Sequence, residues 1–197
     1  MRTRMRGFTL VEVLVALAII AMLVAVLYPA LSNKVRDSRT AALLQTFQGY
    51  AQGVAEFKKG TTRYPSSLLL LTSAPTATSL DICGNQMSTT PASLWRGPYM
   101  TRMMLSTGLP IGDATIEPGL RRVVSGTEIT LNIDAAEVES ATAGDLEDQL
   151  DAGTANYNTG TIRATTNSIP ATATSSLIPA AAAGTYNVSY AIPILGC

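Results

Sequence analysis

The 197-residue chain contains no histidine. That absence removes the commonest general base and metal ligand, together with every Ser/His or Cys/His nucleophile pair. Charge is also scarce: Asp, Glu, Lys and Arg make up 14%, against about 25% in a typical soluble domain. The two signs balance at 14 residues each, so no bulk positive excess is available to hold a polyanion. A hydrophobic fraction of 47% beside so little charge points to a membrane segment, a surface buried in an assembly, or both. Composition thus argues against an enzyme without naming a function.

The apolar excess is concentrated at one end. Residues 1–7 carry Arg2, Arg4 and Arg6, and from Phe8 to Leu31 the chain is apolar apart from Glu12. Val13 to Leu31 spans about 28 Å as a helix, close to the roughly 30 Å hydrocarbon core of a bilayer. The arginines abut this run directly, so the N-terminus is expected inside and everything after Leu31 outside. A secretory signal peptide also starts basic and continues apolar, but this run exceeds the usual h-region of about 7–15 residues. A carboxylate at its start serves no purpose in a cleaved signal. An ionisable group within a spanning helix is costly and usually has a partner. Glu12 needs a cation.

Gly7-Phe8-Thr9-Leu10-Val11-Glu12 followed by an apolar helix resembles the class III signal of type IV pilins and type II secretion pseudopilins. The resemblance implies that a prepilin peptidase cuts between Gly7 and Phe8 and methylates the new amine of Phe8. Glu12 then becomes the fifth mature residue and pairs with the N-terminal amine of a neighbouring subunit during fibre assembly. An ammonium in that position would offset the cost of the buried carboxylate. Pro29 falls where many members of the family carry a helix-bending proline.

The implied fold is α+β, the type IV pilin fold: a long N-terminal helix packed on a small antiparallel β-sheet head. Its divisions are a leader at 1–7, a membrane and assembly half-helix at 8–31, an amphipathic half-helix at 32–60 and a head at 61–197. The implied partners are other copies of the chain and related pilins, the prepilin peptidase and an inner-membrane assembly platform, with no cofactor. Before assembly the chain would cross the inner membrane once; afterwards it would belong to an extracellular or periplasmic filament.

Beyond the membrane, Leu44, Phe47, Tyr50, Val54 and Phe57 recur at helical spacing and predict an amphipathic stripe packed on the chain's own sheet. Lys58 and Lys59 followed by Gly60 predict the helix end, with cations at the C-terminal dipole and a glycine able to turn left-handed. Pro29 is expected to bend or locally melt the helix. Gly49 and Gly53, four apart, permit close packing. Phe57, Arg63-Tyr64-Pro65 and the expected aromatic clasp of Trp95-Arg96-Gly97-Pro98-Tyr99-Met100 resemble the major pseudopilin pattern. Leu109-Pro110-Ile111-Gly112-Asp113 departs from it. Strands are expected at Arg121–Val124, Glu128–Ile133 and Gly160–Arg163, with a last one through Tyr186, Val188, Tyr190 and Ile192. Residues 134–152 read as a helix closed by Gly153, and Ser67–Leu71 as a short apolar run.

Eight acidic residues from Glu128 to Asp151 have no Lys or Arg among them. Asp145, Glu147, Asp148 and Asp151 are a weak oxygen-ligand set for calcium, although their spacing is not that of an EF-hand. The simpler readings are a solvated helix face, or a surface for a basic patch on the next subunit. Cys83 and Cys197 form the minimal even pair, and in an oxidising compartment a disulfide is the default. A loop that long would stabilise by about 4–5 kcal/mol in the chain-entropy account, and free or intermolecular thiols are the alternative. After Arg163 no charge occurs, and 165–184 is a small-residue stretch expected to lie as an irregular loop on the head. Loss of the leader takes the positives from 14 to 11 against 14 negatives, a net of −3. That balance argues against nucleic-acid binding by the isolated head, and Arg121 and Arg122 read as solvated strand ends.

Three function classes follow. The first is a structural subunit of a type IV pilus or pilus-like filament. The second is a minor pilin or pseudopilin serving assembly priming, adhesion, DNA uptake or type II secretion. The third, a membrane-anchored enzyme, has neither histidine nor an evident Ser/Lys or carboxylate pair to support it.

Overall fold

The computed structural model describes residues 9–151, 160–169, 178 and 180–196. Two units are distinguished, Met1–Ser38 and Arg39–Cys197, and helix α1 (Leu10–Thr61) contributes to both. In the first unit α1 is the sole element. It runs without interruption through Pro29, so the expected local melting does not occur. Proline deletes one ladder hydrogen bond, but the neighbouring turns keep theirs, and the Ser32 hydroxyl donates to the Pro29 carbonyl at 3.0 Å.

In the second unit the remaining turns of α1 lie on a five-stranded antiparallel sheet. The strands are β1 (Leu109–Ile111), β2 (Ala114–Ser125), β3 (Glu128–Glu139), β4 (Ile162–Thr165) and β5 (Thr185–Pro193), in the order β1-β2-β3-β5-β4. This is the α+β arrangement the sequence implies, a long N-terminal helix on a small antiparallel sheet. The β2–β3 hairpin turns at Gly126-Thr127, where Gly126 has φ +60°, a value glycine adopts without steric cost. Leu131, Ile133 and Ala135 of β3 and Val188 of β5 enter the core with Leu43, Phe47, Tyr50, Val54 and Phe57 of α1. The helical stripe is therefore core packing, as its spacing predicts, with Leu43 rather than Leu44 fully buried. Phe47 stacks on half-buried Tyr190 with ring centroids 5.5 Å apart and planes at 17°, and full burial of the Phe47 side chain contributes on the order of 1.5–3 kcal/mol.

The end of α1 differs from its sequence reading. Gly60 stays within the helix, and Thr62 takes the left-handed conformation at φ +64°. Gly60 is small for another reason: a Cβ there would lie 2.6 Å from the Tyr99 hydroxyl. Tyr99 is the hinge of the expected clasp, edge-on to both Phe57 and Trp95 with centroids 5.8 Å away in each case. The clasp is tied down by the Trp95 indole N–H, which donates to the Leu70 carbonyl at 3.1 Å, and by the Tyr99 amide, which donates to Leu71 at 2.7 Å. Gly53 serves close packing within the unit, because Leu71 and Met100 occupy the space a Cβ would need. Ser67–Leu71 resolves into a 3₁₀ turn at Leu68–Leu71, capped by the Ser67 hydroxyl.

Two further corrections concern the acidic region. Residues 134–139 are not helix: β3 continues to Glu139, and the helix that follows the short α2 (Thr89–Ser93) in the chain, α3, begins only at Ser140 and ends at Leu150. A bulge between Ala135 and Val138 absorbs the change, with Glu137 at φ +60° accepting from the Thr185 hydroxyl at 3.0 Å. β2 is also longer than expected, reaching back to Ala114, and β1 at Leu109–Ile111 forms where the sequence pattern predicts no strand. The final strand runs through Tyr186, Val188, Tyr190 and Ile192 as its alternation requires. Gly153 and much of the 165–184 stretch lie outside the described residues.

Candidate functional site

The first unit holds the feature with the plainest functional demand. From Leu10 to Leu31 the large apolar side chains project on every side of α1, with Val13, Leu14, Val15 and Leu17 each about half exposed or more. A helix apolar all round belongs in lipid or among other helices. Between Glu12 and Lys34 there is no charge, and those 21 residues rise about 32 Å, enough to cross a bilayer once. This is the one helix among the described residues long and apolar enough to do so. Lys34 and Asp37, 4.0 Å apart and exposed, resume the polar sequence beyond it.

The start of the helix is built locally. The Thr9 hydroxyl accepts the Glu12 amide at 3.2 Å, and the Thr9 carbonyl accepts the Val13 amide at 3.3 Å. Thr9 is thus the N-cap and Glu12 the third helical residue, the arrangement of the T-x-x-E capping signature. The lone charge in an apolar run singles out Glu12 but not Thr9, for which the three-residue spacing is the available signal. A carboxylate in the first turn suits the positive end of the helix dipole as well as an external ammonium. Gly7 and Phe8 lie outside the described residues. Pro29 stands within the apolar span.

The other expected residues belong to the second unit. Cys83 lies in a turn organised by Asp81, whose Oδ1 accepts the amides of Cys83 at 2.9 Å and Asn85 at 2.8 Å. The Arg63 guanidinium donates to Oδ2 at 2.6 Å. Burial alone would raise the Asp81 pKa, but Arg63 and the two amides outweigh it and hold the carboxyl below its ordinary range. Cys197 lies outside the described residues, and with it the pairing to Cys83.

The four weak metal candidates do not converge. Among the described residues no group of three or more Asp, Glu, Cys or His is placed to hold a metal ion. Asp151 instead closes the connection from α3 to β4, accepting the amides of Thr161 at 2.9 Å and Ile162 at 2.8 Å. Glu147 is buried, only 2% exposed, and neither carboxylate oxygen has a hydrogen-bond partner among the described residues. Burial, followed by the nearby charges of Asp151 and Asp148, raises its pKa. Asp148 is exposed and Asp145 half-buried.

Arg121 is a correction. It is not a solvated strand end but the centre of a buried network on the sheet face away from α1. Its Nε and Nη2 donate to the Asp134 carboxylate at 3.0 and 2.9 Å, and Nη2 also donates to Ser189 Oγ at 2.8 Å. Ser189 in turn donates to Asp134 at 2.5 Å. Glu117 stands nearby, its pKa raised by burial and then by the charge of Asp134. Arg122, the next residue, is exposed as expected. Among the described residues, Arg121, Asp134 and Ser189 bond to one another.

Residues 2–28 match the family described as the prokaryotic N-terminal methylation motif. No curated protein and no solved structure matches the chain. The matched segment contains Gly7, Phe8, Thr9 and Glu12 and ends within the apolar part of α1, so the chain carries the prepilin-type signal of type IV pilins and pseudopilins.

Proposed function

We propose that this chain is processed between Gly7 and Phe8, methylated on the Phe8 amine, stored in the inner membrane with its N-terminus inside, and polymerised as a structural subunit of a type IV pilus or pilus-like filament. The observation that carries this reading is the coincidence of the methylation motif with a helix apolar on every side whose first turn holds a lone carboxylate. Such a helix is stable in lipid as a stored monomer and equally in a bundle of its own kind, so one surface serves both states. Glu12 then has a defined role, pairing with the amine of a neighbouring Phe8 and setting axial register. Outside the membrane, Cys83 and Cys197 are joined and fasten the last strand.

Mass spectrometry of the unreduced protein, from membranes and from filaments sheared off cells, tests this. A mature N-terminus at methylated Phe8, recovered in the sheared fraction and two hydrogens lighter than the dithiol, is the expected result. Glu12→Ala should leave cleavage intact and abolish recovery in the sheared fraction. An intact Met1, or cleavage near Ala30, would overturn the reading. Copy number within the fibres separates a main subunit from a minor pilin or pseudopilin.

A further inference from the structure

The head carries a cleft of about 500 Å³, a size typical of small-molecule sites, that filament assembly through α1 does not use. One wall is the end of α1 with the segment after it, contributing Lys58, Thr62, Arg63 and Tyr64; the other is the 81–85 turn, contributing Asp81, Cys83 and Asn85. The two walls are fastened to each other. The Ile82 amide donates to the Tyr64 carbonyl at 3.1 Å, Pro65 bridges to Asp81, and Arg63 pairs with Asp81 at 2.6 Å. A cleft held in this way is preformed, so a ligand does not have to order it on binding.

Its lining has two cations, Lys58 and Arg63, against the single carboxylate of Asp81. Asp81 is 5% exposed and committed, with Oδ1 accepting the Cys83 and Asn85 amides and Oδ2 accepting Arg63. It therefore positions Arg63. The guanidinium uses Nη1 for that bond, while Nε and Nη2 have no partner among the described residues and the side chain is 37% exposed. The Lys58 ammonium is held by uncharged groups alone: it donates to the Thr62 carbonyl at 2.7 Å and stands 4.6 Å from the centroid of the Tyr64 ring. The next residue, Lys59, lies 3.9 Å from Glu56, and Lys58 has no carboxylate beside it among the described residues. Carbonyls at a helix end disfavour an anion, but here they are taken up. That of Phe57 accepts the Thr61 hydroxyl at 2.8 Å, that of Lys58 the Thr62 amide at 2.8 Å, and that of Thr61 the Thr62 hydroxyl at 2.6 Å. Thr62 makes these bonds at φ +64°, a conformation that a β-branched residue adopts only where its surroundings impose it. The strained residue is the one whose carbonyl holds the Lys58 ammonium.

We propose that this cleft binds a small sugar acid, recognising its carboxylate through Lys58 and Arg63. A guanidinium fork matches the two oxygens of a carboxylate, and an excess of one positive charge suits a monoanion. A dianion would bring a second charge towards Asp81 with nothing to offset it. The cleft is larger than a bare ion needs, and the rest of its lining is suited to a hydroxylated body. Asn85 is exposed and its side-chain carbonyl has no partner among the described residues, so it can accept a hydroxyl, while the Tyr64 ring offers an apolar surface. The site belongs to the head alone and does not depend on whether the chain polymerises.

The test is saturation-transfer NMR of glucuronate against the detergent-solubilised full-length chain, with glucose as the neutral counterpart and inorganic phosphate as a second probe. Saturable transfer to glucuronate and none to glucose is the expected result. Lys58→Gln keeps a long polar side chain but removes the charge, and should weaken glucuronate binding about tenfold, the loss of one charge-assisted hydrogen bond. Arg63→Lys keeps the charge and a donor for Asp81 but loses the fork, and should weaken binding by a similar factor, so the outcome does not hang on one variant. No saturable transfer to glucuronate, equal transfer to glucose, or binding unmoved by both variants overturns the site. Saturable binding of phosphate without glucuronate overturns the assignment of a carboxylate ligand.

Discussion

Arg121→Met tests whether the buried network holds the head together. The Arg121 side chain is 17% exposed and that of Asp134 only 2%, so the pair is largely withdrawn from water. Methionine nearly fills the volume of the arginine stem, so the change removes the cation without opening a large cavity. Asp134 keeps one bond, from the Ser189 hydroxyl, and loses two charge-assisted ones. Removing one partner of a buried, hydrogen-bonded ion pair costs about 3–5 kcal/mol, because the remaining charge stays buried without its counter-ion. For a unit of this size about 2–4 °C is lost per kcal/mol, which places the melting temperature about 6–20 °C lower. The assay is thermal unfolding of the detergent-solubilised chain at pH 7, followed by near-ultraviolet circular dichroism of Trp95 and the tyrosines. Combining the change with Asp134→Leu should recover most of the loss, since apolar replacement of both partners is often close to neutral. A single variant within about 1 kcal/mol of the parent, or a double variant less stable than the single, would refute the assignment of Asp134 as a charge held by Arg121.

Glu147 gives a pH prediction of defined sign. Its folded-state pKa is raised, by burial first and then by Asp151 and Asp148, so the folded head favours the protonated form. Its contribution to stability is therefore fully present below the unfolded value of about 4.3 and is lost as pH rises through the raised folded value. Glu147→Gln should flatten that decline and unfold at a higher temperature than the parent at pH 7, with the advantage disappearing near pH 4; a parallel pair of melting curves checks it, and equal slopes would contradict it. Asp151→Ala removes the acceptor of the Thr161 and Ile162 amides, and should cost about 1–3 kcal/mol, with hydrogen exchange accelerated first at the start of β4. Gly60→Ala forces a methyl against the Tyr99 hydroxyl and should destabilise by about 1–3 kcal/mol, lost mainly through the clasp and read out in the Trp95 fluorescence.

Which parts of this molecule can be read from its sequence depends on whether the deciding interaction is local. The apolar run after Glu12, the stripe through Phe47, Tyr50, Val54 and Phe57, and the alternation from Tyr186 to Ile192 each state their environment within a few turns or strand residues, and each folds accordingly. β3 does not. Its residues Thr130, Asn132 and Asp134 are polar yet buried, on the opposite face from Leu131, Ile133 and Ala135. A strand with two buried faces and acids in its second half resembles a solvated helix, and its pattern over 134–139 predicts one. The partners that make Asp134 tolerable there, Arg121 and Ser189, stand 13 and 55 residues away. Gly60 follows the same logic: its neighbours in sequence predict a helix stop, whereas its neighbour in space, Tyr99, requires only that it be small.

The same division governs the charges. The apolar half of α1 needs no information from the head, since a helix apolar on all sides partitions into lipid or into a bundle by itself. The head has few charges and pairs several of them internally: Arg63 to Asp81, Arg121 to Asp134, Arg39 to Asp113 and Glu139. In so sparsely charged a chain each uncommitted charge is a larger share of what one head can present to another. A polymer held by an apolar helix alone would have strong axial cohesion and little rotational preference, because lipid-like surfaces pack in many registers. Under the filament reading proposed above, Glu12 restricts that freedom, because one carboxylate that must meet one amine selects a single register among the many that apolar packing allows.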